Sequence, residues 1–331
     1  MCRYLIPPSA SFKAVKPWIS ITVYCVLAYC LAWVIALPLW FGTGLSSPLF
    51  PVISIGMMLT PMVASMLTVH FVEHQRIRDS LGIWLTGHNI VNFLVTSLIL
   101  IGLTSIITIG ALVTSSLFGS YDLDIVGMGQ FRQVIAQQAA DRDEAPPLPM
   151  RVLWVLQLLS FALASLINMF PAAGEEIGWR GFLHSRLSVL IGKRRAVMVT
   201  SVIWGLWHAP LILLGYNYPS NPLLGLAMMC VFCLGVGSLL AWAYERTGSI
   251  WPAAVGHGAI NAFVPGTALL FAASNSTVDT VSATLMGWGG WPIILVVVIV
   301  VFVSREFRSL RPASTMPVSV WPDTDLGYAN P

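Results

Sequence analysis

Long apolar runs, nearly free of charge, recur along the chain near residues 18 to 41, 50 to 72, 90 to 118, 152 to 170, 196 to 214, 223 to 244, 250 to 271 and 285 to 303. Each is close to the roughly 20 helical residues needed to cross a bilayer core about 30 Å thick. The pattern predicts an all-α, polytopic membrane helix bundle of about eight transmembrane helices. No period of about 20 to 50 residues divides the chain into repeats.

An even number of spans puts both termini on one side, and the basic residues say which. The segments that share a side with the termini hold 14 of the 17 Lys and Arg residues, and the other side holds only Arg132, Arg142 and Arg151. Excess Lys and Arg mark cytoplasmic segments, so both termini are expected in the cytoplasm. The resulting plan is a cytoplasmic N-terminal segment at 1–17, a transmembrane domain at 18–305 with a polar core at 174–261, and a disordered cytoplasmic tail at 306–331, rich in Pro, Ser and Thr. Arg3, Lys13 and Lys16 precede an apolar run too long for the core of a signal peptide, so this run reads as a retained first helix. The acidic stretch 119–151 is predicted to carry a short surface helix.

Composition agrees with this plan. The chain is 56% hydrophobic and only 9% charged, where soluble domains carry roughly a quarter charged residues. A net charge of +3, spread over short segments, gives no patch for nucleic acid. Five cysteines are an odd number, mostly inside apolar segments, and imply no disulfide framework. Cys230 and Cys233 fall mid-helix and read as packing.

Against this background, ionisable residues inside the later segments need a reason, because each costs about 2.5–3.5 kcal/mol at a helix centre. They form three groups: Gly174-Glu175-Glu176-Ile177-Gly178-Trp179-Arg180-Gly181, Trp204-Gly205-Leu206-Trp207-His208-Ala209-Pro210, and His257-Gly258-Ala259-Ile260-Asn261. Glu176 and Arg180 stand four apart, in the favourable order for an ion pair on one helix face. Glu175 points about 100° away with no such partner, so its carboxylate must look to another helix or to water, as suits a general base. His257 and Asn261 share a face and are read as two uncharged donors aimed at a developing oxyanion. His208 supplies a further imidazole, and Pro210 is expected to loosen the fifth helix beside it. Glycines at 174, 178, 181, 205, 256 and 258 would let backbones approach. His70, His74, His88 and His184 are read as solvated.

These groups resemble the motifs of the CPBP family, the CAAX proteases and bacteriocin-processing enzymes, also called the Abi family of intramembrane proteases. Its EExxxR is met by Glu175, Glu176 and Arg180, its FxxxH by His208, and its HxxxN by His257 and Asn261. The departure is Trp204, standing where the family has Phe, an exchange that keeps an aromatic wall. The resemblance implies an intramembrane endopeptidase acting on a membrane-associated peptide or protein. In it Glu175 and His208 activate water, His257 and Asn261 stabilise the oxyanion, and Glu176, Arg180 and Trp204 support them. Family members are commonly labelled metalloproteases, although a metal-free glutamate mechanism has also been proposed for them. Glu175, His208 and His257 could serve as three ligands for Zn²⁺. The metal-free version is preferred, because no HExxH is present and a metal would need Glu175 as ligand and base at once. The expected location is the plasma membrane, with the cleft opening toward the cytoplasm. The competing readings are a transporter or proton relay built on the same residues, and a non-catalytic scaffold or immunity protein.

Overall fold

The computed structural model describes residues 17–84, 90–143 and 145–308. Most of the predicted N-terminal segment and tail, His88 and Glu144 lie outside the described residues. The chain folds as a helical membrane bundle, without strands among the described residues.

The helices follow the apolar runs. In chain order they are α1 (Pro17–Trp40), α2 (Phe50–Val72), the short α3 (Ile77–Ser80), α4 (Ile90–Leu117), α5 (Gly129–Arg142), α6 (Met150–Ile191), α7 (Lys193–Trp207), the short α8 (Ala209–Ile212), α9 (Pro222–Thr247), α10 (Ile250–Leu270), α11 (Trp291–Val303) and the short α12 (Arg305–Arg308). All eight predicted spans are mainly helical. Among the described residues six, namely α1, α2, α4, α6, α9 and α10, are long and apolar enough to cross a membrane. The chain is thus a multi-pass membrane protein. The predicted surface helix in the acidic stretch is α5. Caps set two starts: the Asn221 side chain accepts from Leu224 N–H ahead of α9, and Ser249 from Trp251 N–H ahead of α10.

Two spans depart from their predicted limits. The fourth does not stop at 170 but runs 42 residues to Ile191, about 63 Å if straight. Pro171 lies inside it, and neighbouring helices can carry a helix through a proline. Beyond it both arginines are buried in ion pairs. Arg180 and Arg186, counted above among the loop cations, are in fact interior, paired with Glu176 and Glu73. The fifth span breaks at His208, where α7 ends and α8 begins one residue later with Pro210 in its first turn.

The ends of the bundle differ. At one end the basic segments meet: Lys193 donates to the Glu306 carbonyl, Arg194 to that of Phe302, and Ile250 N–H to that of Gly82. At the other end Phe50 packs on Tyr216, Tyr218 donates to the Met286 carbonyl, and Tyr121 to that of Ala268. Inside, α10 packs along α6. Gly258 permits the approach, since a Cβ there would collide with the Ser165 carbonyl and sit 2.7 Å from Met169 N. Cys233 is buried in the core, and Cys230 lies against Gly205.

His184 overturns one reading. It is 1% exposed, with Nε2 3.0 Å from Glu245 Oε1. Lys193 lies 2.9 Å from the other Glu245 oxygen. A carboxylate on a distant helix lets the ring be buried. His70 and His74 are exposed.

Candidate active site

Directly after Glu176, α6 widens into a π-helix over Ile177–His184, every residue of it buried. Such wide turns are favoured at functional sites. Glu176 is fully buried and its Oε1 serves two partners, Arg180 Nη1 at 2.8 Å and His257 Nδ1 at 2.8 Å. The Glu176–Arg180 pair thus forms as its spacing predicts, but it also reaches across to α10 and grips the imidazole.

Glu175 turns the other way, as its 100° offset requires. Its Oε2 accepts from Trp204 Nε1 at 2.7 Å and from Trp179 Nε1 at 3.3 Å. Both indoles bind one oxygen, which leaves Oε1 for a ligand. Trp204 is therefore more than a wall. Its ring also lies 5.2 Å from that of His257 and 5.9 Å from that of His208, with the Arg180 guanidinium 4.5 Å from its centre.

The hydrogen bonds fix which imidazole nitrogens carry protons. His208 Nδ1 is 2.9 Å from the Trp204 carbonyl, which can only accept, so Nδ1 donates and Nε2 of the neutral ring keeps its lone pair. The same logic applies to His257, whose Nδ1 faces the Glu176 carboxylate. Its Nε2 can donate to an oxyanion only when the ring is an imidazolium, with Glu176 as counter-charge.

Glu175, His208, His257 and Asn261 all line one cavity of about 410 Å³. Asn261 is exposed there, one helical turn beyond His257. The rest of the lining is mostly apolar, with Met57, Met58, Trp207, Leu211, Met229 and Phe232 among it. The cavity extends away from the basic segments. It reaches Ser54, Tyr216, Asn217 and Met286, which belong to the opposite end of the bundle.

Among the described residues no three His, Cys, Asp or Glu side chains come together in a way that could hold a metal. Glu175, His208 and His257 stand around the Trp204 indole, which touches or bonds to each of them.

Residues 149–263, containing all three groups, match the family model described as Type II CAAX prenyl endopeptidase Rce1-like. Over these residues the chain is similar to the CAAX-protease (CPBP) family. The match covers about a third of the chain, from the start of α6 to the middle of α10. No curated protein matches the chain. A CAAX-protease-like region within a membrane bundle supports, in general type, an intramembrane endopeptidase. Sequence reasoning missed two contacts of this candidate site. The Trp204 indole bond to Glu175 was signalled only by the exchange at the Phe position. The clasp of His257 by Glu176 joins residues 81 apart, which no local spacing reveals.

Proposed function

We propose that the chain hydrolyses a peptide bond in a membrane-associated polypeptide without a metal. Glu175 and His208 take a proton from water. The resulting hydroxide adds to the scissile carbonyl, and the His257 imidazolium together with the Asn261 amide stabilises the oxyanion. Collapse of the tetrahedral intermediate breaks the C–N bond, and the proton passes to the leaving amine. Glu176 and Arg180 position His257, and Trp204 positions Glu175.

The observation that carries this reading is the meeting of a carboxylate with a free oxygen, a bare imidazole nitrogen and a carboxylate-clasped imidazole in one largely apolar cavity. Low hydration strengthens every electrostatic contact there. The test is to incubate the purified protein in liposomes with membrane-anchored peptides and analyse the products by mass spectrometry. Scission at a defined bond is expected. Glu175-dependent proton flux with no scission would instead identify a relay.

A further inference from the structure

The two ends of the bundle treat the reactive side chains differently. At the basic end the helix carrying Glu175 is packed over: every residue from Ala172 to Ser188 is buried. Leu81 closes on Gly181, whose added Cβ would collide with the Leu81 carbonyl. Tyr24 stacks on Phe182 with ring centroids 4.6 Å apart, and Glu73 pairs with Arg186. Among the described residues, the cavity that holds Glu175 has no lining residue from the basic segments.

Toward the other end runs the cavity. Its lining passes from Glu175 and His257 through Phe232 and Val264 to half-buried Ser54, Tyr216 and Asn217. Ser54 lies in the first turns of α2, just after the α1–α2 connection, and Tyr216 and Asn217 lie in the connection between α8 and α9. These connections carry no Lys or Arg. The basic segments, by the preference of Lys and Arg for the inner side, belong in the cytoplasm.

From this we infer that substrate reaches Glu175 from the extracytoplasmic side. The substrate class is a membrane-anchored polypeptide whose cleavable stretch emerges on that side and bears apolar side chains. The methionines 57, 58, 229 and 286 suit such side chains, because their unbranched thioethers adapt to varied shapes. What enters rests on the peptidase reading above; the side of entry does not.

The test labels single introduced cysteines with a membrane-impermeant maleimide in sealed vesicles of both orientations, with the unsubstituted chain as blank. Ser54→Cys, a one-atom change, and Tyr216→Cys report on the cavity mouth. Gln137→Cys on α5 marks the acidic end and Asp79→Cys the basic end. The expected result is labelling of both mouth positions together with Gln137→Cys in right-side-out vesicles, lost in inside-out vesicles, with the reverse for Asp79→Cys. Labelling of the mouth positions only in inside-out vesicles, or in neither preparation, overturns the inference. No readout depends on cleavage, so failure of the peptidase reading would leave this result standing.

Discussion

The indole N–H of Trp204 bonds Glu175 Oε2 at 2.7 Å, joining α7 to α6 at the acid proposed to activate water. Phenylalanine, the family's residue at this position, has no donor. Trp204→Phe keeps the ring and removes the bond. A hydrogen bond to a charged group contributes about 1.5–3 kcal/mol, so kcat should fall about 10- to 100-fold with KM little changed. Wild-type kcat in Trp204→Phe would show that the indole serves only as a wall.

The two adjacent glutamates should separate stability from activity. Glu176→Ala strands Arg180, which is 1% exposed, and frees His257. Breaking such a buried pair costs about 3–5 kcal/mol, and a lower thermal midpoint in detergent should show it. Glu175→Gln keeps an oxygen for the two indoles and should leave that midpoint close to wild type while removing cleavage. Equal melting of the two variants would argue against Glu176 as the clasp.

Gly258 lies beside His257 where α10 meets α6. Gly258→Ala pushes a methyl against the Ser165 carbonyl, and overpacking of this kind costs about 1–3 kcal/mol. Both the thermal midpoint and cleavage should drop, because the helix that must move carries His257. If both were unchanged, the contact between these helices would be looser than the structure has it.

Removing metals gives an independent check. Chelation, followed by assay in metal-free buffer, should leave cleavage at its starting rate, and added Zn²⁺ should not raise it. Loss on chelation with recovery on zinc would mean that Glu175, His208 and His257 rearrange around an ion.

Much of the fold was legible because the bilayer makes hydropathy nearly a direct readout of helices: all eight spans fall on helical segments. The limits of α6 were not, because the apolar run ends near 170 and Arg186 looks like a loop cation until its partner Glu73, far away in sequence, is known. His184 misled for the same reason, since Glu245 is 61 positions away. Of the candidate site, the i to i+4 pairing of Glu176 with Arg180 and the break at His208 were local and readable. The Trp204 bond, the His257 clasp and the direction of the cavity depend on how helices are arranged, which periodicity does not encode.

Whether Glu175, His208 and His257 together hydrolyse a peptide bond is tested most directly by single-turnover cleavage of one membrane-anchored peptide by wild type, Glu175→Gln, His208→Ala and His257→Ala in liposomes. General acid–base groups contribute about 100- to 10,000-fold, so each variant should lose at least about 100-fold in rate while eluting as a folded protein. Wild-type rates in any folded variant would contradict that residue's assigned role, and in all three would place the chemistry elsewhere.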